Sequence, residues 1–130
     1  LVSDHNPVEA DAKNLPFAQA EPGATAVELL LSLALKWGRE DQVPLQRVIA
    51  VLTQGPVKVL GQSLGSLQAS LGQITLGGVA DICVYKPDAA WVVGADTLRS
   101  QGKHTPFAGY ELPAKVATTI AGGYIAFDAG

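Results

Sequence analysis

Few side chains in this sequence have the type and spacing to do chemistry. Histidine occurs twice, as His5 and His104, and cysteine once, as Cys83. A zinc centre needs three or four His, Cys or carboxylate ligands. The two histidines lie far apart, and no H-x-H or H-E-x-x-H spacing occurs. The run G-Q-S-L-G-S-L lacks the lysine of a phosphate-binding loop. Ser63 and Ser66 have no G-x-S-x-G context after a strand. One acid without a metal cannot lower the pKa of water enough for hydrolysis, so the 130 residues alone are expected to be inactive.

Asp4 is the attractive candidate. It stands in L-V-S-D-H-N-P, where an apolar pair runs into an acid, His, Asn and Pro. Barrel enzymes place catalytic groups at the C-terminal ends of their strands. A strand-ending Asp can equally cap a turn with its carboxylate, and spacing alone favours that plainer role. His5 reads as a supporting or packing residue rather than a ligand. His104, in S-Q-G-K-H-T-P-F, reads as exposed loop. Trp37 and Trp91 read as core or interface aromatics. Cys83, inside A-D-I-C-V-Y, reads as a buried small hydrophobe.

The elements that must position these residues change character midway. Thr25 and Glu28 have the spacing of a capping box. Val27, Leu30, Leu31, Ala34 and Leu35 then recur at helical period, and Gly38 predicts a stop. Pro44 suits a first helical position, with Leu45, Val48, Ile49 and Leu52 as the apolar stripe and Gly55-Pro56 as the end. A short helical turn is expected over 57–60. The Gly-, Ser- and Gln-rich stretch that follows predicts turns, with a short strand over 73–76. A-D-I-C-V-Y-K reads as a buried strand and A-W-V-V-G-A as a second. A-K-V-A-T-T-I-A-G-G-Y-I-A-F-D-A reads as a hairpin turning on Gly122-Gly123. The boundary falls near 61–66, giving a helical part over 1–62 and a strand-built part over 63–130. Both parts have open apolar faces or edges that expect a partner.

Composition limits the classes of partner. Apolar residues make up 48%, enough to build a core. A net charge of −3 gives no reason to expect nucleic acid or an anionic membrane surface. A single cysteine allows no disulfide framework, which fits a reducing compartment, and a cytoplasmic protein is expected. The longest apolar stretch is broken by Glu28 and Ser32 and is too short to cross a bilayer.

The order of motifs resembles one family. S-D-H-N-P-V, with the P-G and the helix after it, resembles the stretch following the last barrel strand of dihydroorotases, in the amidohydrolase superfamily. There the pattern is an acid in D-H-A-P-H, a loop with E-x-K, then P-G and a helix opening on a G-x-E-like segment. The family's N-P-A-R-I-L-G-L corresponds to G-P-V-K-V-L-G-Q at Gly55 to Gln62. G-x-I-x-x-G-x-x-A-D corresponds to Gly72 to Asp81, and N-T-P-F-x-G-x-x-L-x-G-R-V to His104 to Val116. The final hairpin also matches. Allantoinases and hydantoinases share several of these motifs.

The resemblance implies an α/β fold: the end of a TIM-like (β/α)8 amidohydrolase barrel, its last strand plus helices, then part of a small β-sandwich. Leu1 and Val2 become the end of the final strand, and the chain the C-terminal third of such a protein. The implied reaction is reversible cyclisation of carbamoyl aspartate to dihydroorotate in pyrimidine synthesis. Zinc activates water, and the last-strand acid moves the proton. By position that acid is Asp4, which could also ligate metal; the remaining metal ligands lie outside these residues. Backbone near Pro22 and Gly23 would meet the substrate carboxylate. The final His of the motif, which binds substrate, is Val8 here, and Asn6 replaces its Ala. Losing one buried polar contact to substrate costs on the order of a hundredfold in rate. Val8 therefore makes a catalytically silent homologue that scaffolds aspartate carbamoyltransferase the alternative, with an allantoinase- or hydantoinase-like cyclic amidase a further one. The expected partners are the rest of the barrel, that transferase and further copies of the chain.

Overall fold

The computed structural model describes residues 1–130. Helices come first: α1 (Ala10–Lys13), a 3-10 turn (Val27–Leu29) leading into α2 (Leu30–Glu40), α3 (Leu45–Leu52) and α4 (Gln54–Leu60). A 3-10 segment, Gly61–Ala69, kinks at Gly65. Five strands follow: β1 (Ile82–Lys86), β2 (Trp91–Val92), β3 (Glu111–Leu112), β4 (Lys115–Ala121) and β5 (Tyr124–Asp128).

The apolar period of α2 buries Ala34 and Leu35 against Val48 of α3 and Ala114. Gly38 does not stop this helix. It lies inside it and is buried, because a methyl group there would overlap Val48 Cγ2. The glycine is a close-approach residue that lets α3 cross α2. The helix runs on to Glu40, and Gln42 then turns the chain at φ 55°. Pro44 caps α3 rather than opening it, at φ −55° and ψ 136°. Gly55 and Pro56 do not end α3 but fall in the first turn of α4, where a missing N–H costs nothing. The break falls at Thr53, whose hydroxyl donates to the Ile49 carbonyl at 2.9 Å.

β1, β4 and β5 form one antiparallel sheet in the order β1-β4-β5, and β2 pairs with β3. The β4–β5 hairpin turns on Gly122 and Gly123 at φ 56° and 86°, a left-handed pair that glycine adopts without strain. The strand expected over 73–76 does not form. Gly78 N–H donates to the Thr75 carbonyl at 3.1 Å and closes a turn instead. Ile74 and Leu76 are fully displayed as a result. Cys83 is exposed rather than buried. Its strand is an edge, and a register shift between Val84 and Tyr85 breaks the alternation that would have hidden it.

Two small cores hold the fold. One joins Leu29 of the 3-10 turn to Val93, Leu98 and Leu112, with Leu33, Trp91 and Phe107 packed against it. The other is the α2–α3–Ala114 cluster. Each draws residues from both sides of position 62. Ala114 sits at φ 66°, and its carbonyl accepts from Ser32 Oγ and Trp91 Nε1, each at 3.0 Å. Two hydrogen bonds to one buried carbonyl hold a backbone conformation that alanine otherwise disfavours.

Candidate functional site

The corner carrying Asp4 is made from three distant pieces of chain. Leu1 to Ser3 pairs with no strand among these residues. Asp4 itself is exposed and turns the chain at φ 47°, in the left-handed region that a short polar side chain tolerates. The residues after it are tied down. His5 Nδ1 accepts the backbone N–H groups of Ala26 and Val27 at 3.1 and 3.2 Å. These amides open the 3-10 turn and α2, where helix N–H groups have no internal acceptor. Asn6 donates its backbone N–H to the Ala24 carbonyl at 3.0 Å and its amide to the Pro22 carbonyl at 3.3 Å.

Val8 is buried. Gly23, at φ 131°, lies so close that an added Cβ would stand 2.8 Å from Val8 Cγ2 and 2.7 Å from Asn6 Nδ2. Gly102 presses from another side, where an added Cβ would stand 3.1 Å from the Val8 nitrogen and 2.9 Å from Pro7 Cβ. The buried Thr25 hydroxyl donates to the Gly102 carbonyl, and the Thr25 N–H donates to the His104 carbonyl at 2.8 Å. Segments 4–8, 22–28 and 99–105 thus form one clasp.

The capping box does not form, because both of its side chains are used across the fold. Glu28 accepts from the Arg99 N–H at 2.8 Å, the Ser100 N–H at 3.0 Å and the Ser100 hydroxyl at 2.8 Å. Partial burial works against the charged form, but these hydrogen bonds, with the nearby Lys103 ammonium, hold the Glu28 carboxyl below its ordinary range. Arg99 in turn places its guanidinium 4.9 Å from the centre of the Phe127 ring on β5.

Among the residues singled out from sequence, the structure brings Val8 against Gly23 and ties Asn6 to Pro22, while Asp4 joins them only along the chain through His5. It leaves Ser63 and Ser66 exposed on the 3-10 segment, and the His104 side chain exposed on its loop. Thr25, Glu28, Ser100 and Gly102 are the clasp residues that pattern alone did not find. The Thr25–Glu28 spacing was a visible signal, but its partners lie more than seventy positions away. No group of three or more His, Cys, Asp or Glu residues converges to hold a metal ion. The donor set of a zinc centre is therefore not present in these residues. An open apolar cleft of about 320 Å³ lies beside the corner, between Leu1, Val2, Leu30, Leu33, Trp37 and Phe107. Trp37 is thus a surface aromatic of this cleft, and Trp91 a core one. No helix is long and apolar enough to cross a membrane.

No protein-family model matches the chain. Its fold is similar to a D-hydantoinase from Thermus sp., with a TM-score of 0.82 at 22% identity, covering 96% of this chain and 27% of that one. A dihydropyrimidinase from Brevibacillus agri gives a TM-score of 0.81 at 19% identity, over 96% of this chain and 27% of the other. The fold is that of the C-terminal portion of a TIM-barrel amidohydrolase. Sequence narrows the class. The chain is 34% identical over 128 residues to a dihydroorotase-like protein of Pseudomonas aeruginosa, covering 98% of this chain and 28% of that protein. It is 35% identical over 127 residues to a dihydroorotase of Geobacter metallireducens, with the same two shares. Over 98% of its length the chain is similar to these dihydroorotase and dihydroorotase-like proteins, it fits a C-terminal stretch of them, and it spans under a third of their length.

Proposed function

We propose that the chain belongs to a dihydroorotase-type cyclic amidohydrolase, in which Asp4 moves the proton. The observation that carries this reading is the Asp4 corner. An exposed carboxylate projects from a turn whose next residues are anchored by His5, Asn6 and Val8. A carboxylate carried on such an anchored backbone can take a proton from an attacking water and return it to a leaving amide nitrogen. The Pro22–Gly23 backbone, held against Asn6 and Val8, is the surface that this reading offers to a substrate carboxylate. The zinc of such chemistry would be held by residues outside this chain, with Asp4 as at most one donor. The implied substrate is dihydroorotate, and the implied site of action the cytoplasm.

Val8 supports a second reading, a catalytically silent homologue that scaffolds aspartate carbamoyltransferase. A buried valine can neither hydrogen-bond nor charge-pair with an anionic substrate. One experiment separates the two. The complete protein, with the rest of its barrel, is assayed for bound zinc and for dihydroorotate hydrolysis, and an Asp4→Asn variant is compared. Zinc with turnover that Asp4→Asn abolishes supports the enzyme. No zinc, no turnover and a stable complex with the transferase would refute it.

A further inference from the structure

We propose that Glu28 is a positioning residue for the Asp4 corner, acting through the strap formed by Arg99 to Thr105. The chain of contacts is continuous. The Glu28 carboxylate takes three hydrogen bonds from Arg99 and Ser100, and so anchors the start of the strap on the 3-10 turn that leads into α2. Two residues on, Gly102 lies against Pro7 Cβ and the backbone of Val8, and its carbonyl is held by the Thr25 hydroxyl. Two residues further, the His104 carbonyl takes the Thr25 N–H. The strap thus closes over Val8 from one side while Gly23 closes from the other.

That same 3-10 turn is where His5 docks, through the Ala26 and Val27 amides. Glu28 therefore fixes two things at once: the turn that receives His5, and the strap that covers Val8. Asp4 lies between the residues so held and a segment with no strand partner in this chain. Glu28 thus organises the backbone that follows Asp4. The stacking of Arg99 on Phe127 extends the strap to the final hairpin, so the β-built part of the chain braces the corner too.

The functional weight of this inference rests on the proton-transfer reading of Asp4, but its structural content does not. The test is amide hydrogen exchange on the full chain carrying Glu28→Gln. The Gln amide keeps one acceptor oxygen but faces the other strap N–H with an NH2 donor, and it removes the charge. Expected is at least tenfold faster exchange at Arg99 and Ser100, with the rise transmitted to Asn6, Ala26 and Val27. Amides of α3 and of the β4–β5 hairpin core keep their rates. Unchanged exchange at Asn6, Ala26 and Val27 overturns the proposal. So does a uniform rise across all elements, which would make Glu28 a general stabiliser. Should Glu28→Gln fail to fold, Ser100→Ala removes one of the three hydrogen bonds and should give the same pattern at about threefold.

In the complete protein, Glu28→Gln is expected to lower kcat about tenfold with KM unchanged. Loss of KM with intact kcat overturns the positioning role. An Asp4→Asn variant without effect on turnover refutes the proton-transfer reading, while the exchange pattern still decides the role of Glu28.

Discussion

Replacing His5 tests the anchor on which the Asp4 corner depends. His5 Nδ1 receives two backbone N–H groups, from Ala26 at 3.1 Å and Val27 at 3.2 Å. A neutral imidazole has a single lone pair at Nδ1, so the two bonds share it, and each is weaker than a linear one. The 3-10 turn and α2 have no other side-chain cap: Ala26 stands at the N-cap and offers none. Removing a helix cap costs ~1 kcal/mol, and up to ~2 when the amides are poorly hydrated. Val27 is exposed and can turn to water, whereas Ala26 is only partly accessible. We therefore expect His5→Ala to destabilise the chain by about 1.5 kcal/mol. For a domain of this size that lowers Tm by roughly 5 °C.

The diagnostic comparison uses the two amide side chains. Asn places its oxygen near the Nδ1 position, whereas Gln places it near Nε2. His5→Asn should stay within about 0.5 kcal/mol of the parent, and His5→Gln should behave like alanine. Urea denaturation at fixed ionic strength measures all three, with m-values checked for constancy. Rescue by Gln and not Asn would refute the Nδ1 geometry. A cost below about 0.5 kcal/mol for alanine would refute the claim that His5 holds the corner at all.

Three other changes have definite outcomes. Gly38→Ala forces a methyl group into Val48 Cγ2, and should cost about 2 kcal/mol in urea denaturation, with a second change, Val48→Ala, restoring part of it through a non-additive cycle. Glu28 has its folded-state pKa below the unfolded one. Its contribution is therefore fully present above the ordinary glutamate range and is lost as pH falls through the depressed value. Stability of the parent minus that of Glu28→Gln should be flat at neutral pH and shrink below about pH 4. Val8→His should destabilise the chain by ~2 kcal/mol or more by burying an imidazole between Gly23 and Gly102. In the complete protein the same change should raise kcat/KM if the enzyme reading holds, and leave an absent activity absent if the silent one does.

Much of the fold is legible from pattern, and the site much less so. The β4–β5 hairpin is written locally, in an alternating run on either side of Gly122-Gly123, and it forms there. The apolar stripe of α2 is equally local. Gly38 shows where local reading stops: as a sequence feature it is a helix terminator, but the crossing of α3 makes it a packing residue. Cys83 shows the same from the other side, since an apolar run cannot tell an edge strand from a central one. Thr25 and Glu28 are the clearest case. Their spacing fits a reciprocal cap, and a helix N-terminus does follow. The cap is instead supplied by His5, more than twenty positions earlier, which frees both side chains to bind the 99–105 strap.

Val8 takes on a different meaning once the clasp is in view. As one position in a motif it is a lost polar group. In the fold it is a buried apolar residue seated between two glycines, each close enough to forbid a Cβ of its own. A larger side chain at position 8 would press on the strap, against the three hydrogen bonds that Glu28 accepts. Valine at this place therefore works with the strap, because apolar burial and the Thr25–Gly102 hydrogen bond favour the same closed arrangement. The consequence is that restoring a polar group at position 8 and loosening Glu28 should act together. Val8→His alone strains a closed clasp, whereas Val8→His with Glu28→Gln relieves part of that strain. A double-mutant cycle in urea denaturation should show a favourable coupling of about 1 kcal/mol. Strict additivity of the two changes would separate Val8 from the strap and break the argument at that contact.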